Sequence, residues 1–149
     1  MSDTTTAPAA ADAATQAALE RLNTVIDRLI APDGCPWDST QTPESLTEYV
    51  IEECHELVDA IRSGKTADMV EELGDVAFLI LMIGKLMARA GGPSLADALE
   101  VEAAKMVRRH PHVFSDTTYE NQSEQLKDWD RIKREEKAAA DAEGPKGTY

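Results

Sequence analysis

From Val76 to Met87 the sequence reads VAFLILMIGKLM, twelve residues with Lys85 as the lone charge. A helix that is apolar on nearly every side must find apolar partners on every side. Its longest uninterrupted run, Val76 to Ile83, is far short of the ~20 residues needed to span a bilayer. The segment therefore belongs at the centre of a helical assembly, and a domain of about four helices can barely surround it alone. Self-association into a bundle is the expected remedy.

The remaining segments read as helices too. Leu19, Leu22, Val25, Ile26 and Leu29 recur at helical spacing until Pro32-Asp33-Gly34 ends the pattern. A second helix is expected from about Pro43 to about Arg62, because Thr42 offers an N-cap, Pro43 a first helical residue and Glu44 an early acid. Ser63-Gly64-Lys65-Thr66 breaks it, and a third helix is expected from about Thr66 to about Ala90, before Gly91-Gly92-Pro93. Two more follow, from about Ser94 to Arg109 with Leu95, Leu99 and Met106 on a stripe, and from about Ser123 to Lys137 with Leu126, Trp129 and Ile132. Between them His110 and His112 flank Pro111 in a turn, and an irregular stretch follows Phe114. No strand-like alternation and no internal repeat occur, and aromatics are only 5% of residues, so aliphatic side chains must fill the core. The expectation is an all-α helical bundle, completed by dimerisation.

Residues 1–17 and 138–149 are poor in large apolar side chains and read as a flexible arm and tail around a single domain at 18–137. A net charge of -13 opposes binding of polymeric nucleic acid. Two cysteines, Cys35 and Cys54, make no disulfide framework. With no start resembling a signal peptide and no membrane span, the reading is a soluble cytoplasmic protein.

The second and third helices carry the chemistry. Glu52-Glu53-Cys54-His55-Glu56 and Glu71-Glu72-Leu73-Gly74-Asp75 each place acids three residues apart, Glu53 with Glu56 and Glu72 with Asp75, on one helix face. Ten acids against Arg62 and Lys65 lie between Glu44 and Asp75, a local balance of -8. Antiparallel helices could aim these carboxylates at one another, which is costly unless a cation sits among them. Hard divalent ions take oxygen ligands, and magnesium is commonly held by a few carboxylates together with substrate phosphates. The plain alternative is a solvated acidic face. His110 and His112 lack the spacing of a zinc pair, and Glu52-x-x-His55 has no second Glu-x-x-His to complete a di-iron bundle. There is no P-loop.

Six short stretches then occur in order: CPWD at Cys35–Asp38, QTPESL at Gln41–Leu46, EYVIEECHELVDAI at Glu48–Ile61, EELGDVAFLI at Glu71–Ile80, KMVRRHPHVF at Lys105–Phe114 and WDRIKREEK at Trp129–Lys137. This series resembles the MazG family of nucleoside triphosphate pyrophosphohydrolases over about residues 18 to 137. Fifteen residues separate Glu56 from Glu72, which fits the family's gap between its EExxE and ExxD motifs. The resemblance implies an all-α fold, a homodimer or higher homo-oligomer, and magnesium, with manganese as a substitute, held by Glu53, Glu56, Glu72 and Asp75. Glu52, Glu53 and Glu71 become the catalytic candidates, with Glu52 and Glu71 as water-activating groups. Tyr49, Lys105, Arg108, Arg109, Trp129 and Lys133 become the substrate-contacting ones. The implied reaction is hydrolysis of a nucleoside triphosphate to monophosphate and pyrophosphate; the alternative is a helical module that binds metal and nucleotide without turnover. Longer members carry two such domains in tandem where this chain has one, so a substrate preference does not carry over.

Overall fold

The computed structural model of the protein describes residues 6–142. Among these, every regular element is helical: α1 (Thr6–Leu29), α2 (Thr47–Ser63), α3 (Thr66–Arg89), α4 (Leu95–Arg109), a one-turn α5 (Pro111–Phe114) and α6 (Gln122–Ala142), with a 3-10 turn at Asp38–Thr40. The all-α expectation holds. The chain divides into two compact units, one ending at Leu95 and one starting at Ala96, where the sequence suggested a single domain from 18 to 137.

In the first unit α2 packs along α3, and α1 packs on α3 as well. The α2–α3 reversal takes only Gly64 and Lys65. Gly64 has φ 71°, the left-handed region that favours glycine, and its N–H donates to the Ile61 carbonyl at 3.2 Å. The core gathers Ile26 and Ile30 from α1 and its end, Leu46 from the turn before α2, and Leu79, Leu81, Met82 and Leu86 from α3. The apolar half of α3 thus supplies most of it. Lys85 extends from the same helix to Asp27 on α1 at 2.6 Å.

Three boundaries differ from the sequence reading, each for a local reason. α1 begins at Thr6, so residues 6–17, expected as part of a flexible arm, are helical; alanine-rich sequence forms helix by propensity without needing a packed face, and residues 10–16 are exposed. α6 continues through Ala138–Ala142, again on alanine, while residues 1–5 and 143–149 lie outside the described residues. α2 starts at Thr47 rather than Pro43. The cap chemistry at Thr42 is present, with Thr42 N–H donating to Ser45 Oγ at 2.9 Å and Ser45 N–H to Thr42 Oγ1 at 3.1 Å, but it closes a separate turn ahead of the helix. His110-Pro111-His112, read as a turn, leads into α5 with Pro111 at its start.

Several large apolar side chains of the first unit remain exposed: Ile51, Val58 and Ile61 on α2, and Val70, Leu73 and Ile80 on α3. In the second unit α4 buries nothing fully and α6 buries Ile132.

Two glycines of α3 make opposite predictions. A Cβ at Gly84 would lie 2.7 Å from the Leu95 Cβ. Gly84→Ala should therefore lower the melting temperature, with overpacking costing about 1–3 kcal/mol against the ~1 kcal/mol gained in helix propensity. Gly74 has nothing within 4 Å of such a Cβ. Gly74→Ala should raise stability by about 1 kcal/mol in a urea titration.

Candidate functional site

Helical periodicity sets the site. Positions 49, 52 or 53, and 56 share one face of α2, and Glu72 lies on the stretch of α3 that packs beside it. The structure brings Glu53, Glu56 and Glu72 together, with one carboxylate oxygen from each within 4.8 Å of the others. Asp75, the fourth residue of the expected metal set, stands outside that group, though near enough for its charge to act on Glu53 and Glu72. Glu52 and Glu71 are exposed neighbours. Towards the hairpin turn an open hollow of about 320 Å³ continues the acidic surface, lined by Glu56, Asp59, Asp68 and Glu72 among others.

The electrostatics of this arrangement are unfavourable as it stands. Glu53 is raised above the ordinary carboxylate range, first by burial and then by the charges of Glu56, Asp75 and Glu52. Glu72 is raised too, by burial and then by Glu56, Glu71, Asp75 and Glu53. Glu53 Oε2 is buried without a hydrogen-bond partner. Among the described residues no lysine or arginine pairs with any of these six acids: Arg62 turns to Asp59 at 4.0 Å and Lys65 to Asp68 at 3.8 Å. An unpartnered buried carboxylate oxygen costs free energy unless something donates to it or coordinates it. Three converging, hard oxygen donors with no protein cation fit a small divalent ion. His55, the residue that prompted a di-iron reading, is exposed and outside the group.

The cations expected to meet substrate all lie in the second unit, and each is already engaged. Lys105 pairs with Glu102. Glu136 accepts from Arg108 Nε at 3.1 Å and from Arg109 Nη2 at 2.8 Å, and Lys133 lies 3.6 Å from Asp130. The Arg109–Glu136 pair is largely shielded, with 20% and 22% side-chain exposure, and holds Glu136 below the ordinary carboxylate range. Trp129 is half-buried, edge-on to His110 at 4.8 Å between ring centroids, with the Arg109 guanidinium 6.0 Å from its ring. Tyr49 belongs to the first unit, where Trp37 meets it edge-on at 5.6 Å.

Sequence reasoning missed three polar contacts. Glu136, which gathers both arginines of the RR pair, carries no mark beyond its place in the REEK stretch. Tyr119 donates to Asp128 at 2.5 Å, and that bond together with Arg131 lowers Asp128. Arg89, at the end of α3, reads only as a basic residue near a helix C-terminus, yet it binds the loop before α2.

The profile of the MazG nucleotide pyrophosphohydrolase domain matches residues 41–114, a span that contains the whole acidic group. The chain belongs to the MazG family. It is 42% identical over 118 residues to the "Uncharacterized protein YabN" of Bacillus subtilis, covering 79% of this chain and 24% of that protein. It is 40% identical over 121 residues to a "Nucleoside triphosphate pyrophosphohydrolase" of Escherichia coli strain K12, covering 80% and 46%. A third relative, "Nucleoside triphosphate pyrophosphohydrolase/pyrophosphatase MazG" of Thermotoga maritima, is 39% identical, with 79% and 45% covered. This MazG chain thus spans from a quarter to about half the length of these curated relatives. The crystal structure of a mazG-related protein from Thermotoga maritima superposes with TM-score 0.65 at 29% identity, covering 77% of this chain and 98% of that one. No described helix is long and apolar enough to cross a membrane.

The shifted groups give pH dependences of opposite sign. Glu136 is lower in the folded state than in the unfolded chain, so its contribution is complete above the ordinary carboxylate range and lost as pH falls through the lowered value. Glu136→Gln should melt earlier than wild type at pH 7, with the gap closing in acid. Glu53 is raised, so without a divalent ion it binds the extra proton when folded, and stability falls as pH climbs from the ordinary carboxylate range through the raised value. In chelator, Glu53→Gln should lose less stability than wild type between pH 4 and 7. Melting curves at stepped pH check both; parallel curves for variant and wild type would contradict the assignment.

Proposed function

We propose that this MazG chain hydrolyses nucleoside triphosphates to nucleoside monophosphate and pyrophosphate, using magnesium held by Glu53, Glu56 and Glu72, with manganese able to replace it. The observation that carries the reading is the convergence of those three carboxylates within 4.8 Å, with no lysine or arginine paired to them among the described residues and with one buried oxygen unpartnered. When bound, the ion would neutralise phosphate oxygens and allow a polyanion to approach a chain of net charge -13. Asp75 adds its charge to the same centre and counts as the fourth ligand candidate. Glu52 and Glu71, exposed and next in sequence to Glu53 and Glu72, are the candidates to take the proton of the attacking water. Water attacks the α-phosphorus, the bond from that phosphorus to the bridging oxygen breaks, and pyrophosphate leaves.

In this reading Tyr49, Lys105, Arg108, Arg109, Trp129 and Lys133 contact substrate. For the four cations this rests on their match to the family pattern, and each would exchange a carboxylate partner for phosphate. The two cysteines carry no disulfide, and with a nucleotide substrate this favours the cytoplasm. Self-association is part of the same proposal. Six large apolar side chains on α2 and α3 are at least 40% exposed, a surface more typical of an interface than of an isolated unit. Light scattering should give a mass at least twice that of one chain, and a monomer at micromolar concentration would overturn this part.

Incubation with magnesium and each nucleoside triphosphate, followed by product separation, tests the reaction. Monophosphate with pyrophosphate is expected; diphosphate with orthophosphate would refute the bond choice. Glu53→Gln should lower kcat by ~100-fold or more, beyond the loss usual for residues that only support a ligand. Tight nucleotide binding by wild type with no product would instead establish a binding module.

A further inference from the structure

One carboxylate stands between two neighbouring guanidinia at the end of α4. Glu136, from α6, accepts from Arg108 Nε through Oε1 at 3.1 Å, and through Oε2 from Arg109 Nε at 3.1 Å and Nη2 at 2.8 Å. Consecutive residues of a helix point about 100° apart, so adjacent arginines do not converge by helix geometry alone. A single anion draws these two together. The Arg109–Glu136 pair is largely shielded from solvent, and both guanidinia hold Glu136 below the ordinary carboxylate range, so it stays charged at neutral pH.

Charge and geometry both describe the place of a phosphate. Two guanidinia against one carboxylate leave a positive charge uncancelled, in a chain whose net charge is -13. Arg109 presents its Nε–Nη2 edge, a planar fork that matches carboxylate and phosphate oxygens alike, and Glu136 fills that edge. The Arg108 side chain is 54% exposed, so an anion can reach the pair from solvent. A phosphate that grips the Arg109 fork must first remove Glu136, because both need the same N–H groups.

We propose that Glu136 is an internal competitor, a carboxylate latch that occupies the Arg108–Arg109 pair until a phosphate group displaces it and that closes again as pyrophosphate leaves. The inference rests on the reading of those arginines as phosphate contacts. A latch scales affinity by the fraction of molecules in which it is open, so one open in about a tenth of them weakens phosphate binding about tenfold. A permanent brace would do the reverse, holding the arginines ready and staying in place when the anion binds. The sign of the change on removing Glu136 separates the two.

Calorimetric titration of inorganic pyrophosphate, in magnesium, into the full chain reads that sign. Glu136→Gln, which keeps the shape and loses the charge, should bind about tenfold more tightly than wild type. Glu136→Asp, one methylene shorter, should fall between the two, and it decides alone if the circular dichroism of Glu136→Gln departs from that of wild type. Arg109→Gln should bind at least tenfold more weakly. Unchanged or weaker binding by the Glu136 variants, alongside weakened Arg109→Gln, would overturn the latch and leave the phosphate reading standing. Undiminished binding by Arg109→Gln, or no binding by any of the four proteins, would overturn both.

Discussion

Like charges facing one another across the α2–α3 contact are the constraint around which the first unit is arranged. Glu53, Glu56 and Glu72 are drawn within 4.8 Å by helix packing, not by attraction, since burial and mutual repulsion both raise Glu53 and Glu72. The packing that opposes this repulsion is supplied at the other end of α3, where Leu79, Leu81, Met82 and Leu86 pack with Ile26, Ile30 and Leu46. α3 is therefore two helices in function. One half anchors, and the other is held in an electrostatically strained position that a divalent ion would relieve.

That division was visible in the sequence because both halves are patterned. The apolar run from Val76 and the acids at 71, 72 and 75 fall on one uninterrupted helix, bounded by turn residues at 63–65 and 91–93. A two-residue reversal at Gly64 left little freedom in how α2 could return along α3, so convergence of Glu53 and Glu56 with Glu72 followed from spacing. The start of α2 was less legible. Thr42 and Ser45 cap each other in a turn that resembles a helix start locally, and only tertiary packing at Leu46 separates the two. The start of α1 was missed for the opposite reason: alanine propensity alone carries the helix to Thr6 without a buried face to announce it. The partners of Arg89 and Arg109 were not legible at all. They lie about 50 to 60 and 27 residues away, and no local pattern encodes a contact that depends on how distant segments pack.

The same contrast separates the two units. In the first, Glu53, Glu56 and Glu72 have no basic partner among the described residues; in the second, Arg108, Arg109 and Arg131 are matched to Glu136, Asp128 and Glu135. The matched profile runs from the turn before α2 through α5, so it takes in the acidic group together with Arg108 and Arg109 but not their partner Glu136. On α2 and α3 of the first unit, Ile51, Val58, Ile61, Val70, Leu73 and Ile80 stay exposed in a single chain.

Whether Glu53, Glu56 and Glu72 bind a divalent ion is the point on which the functional account stands. Manganese is a spectroscopically visible substitute for magnesium at oxygen-ligand sites. Titrating it into the nucleotide-free protein and reading the free ion by paramagnetic resonance should show saturable uptake by wild type and at least tenfold weaker uptake by Glu53→Gln and by Glu72→Gln. Uptake that is equal in all three proteins, or absent from the wild type, would contradict it.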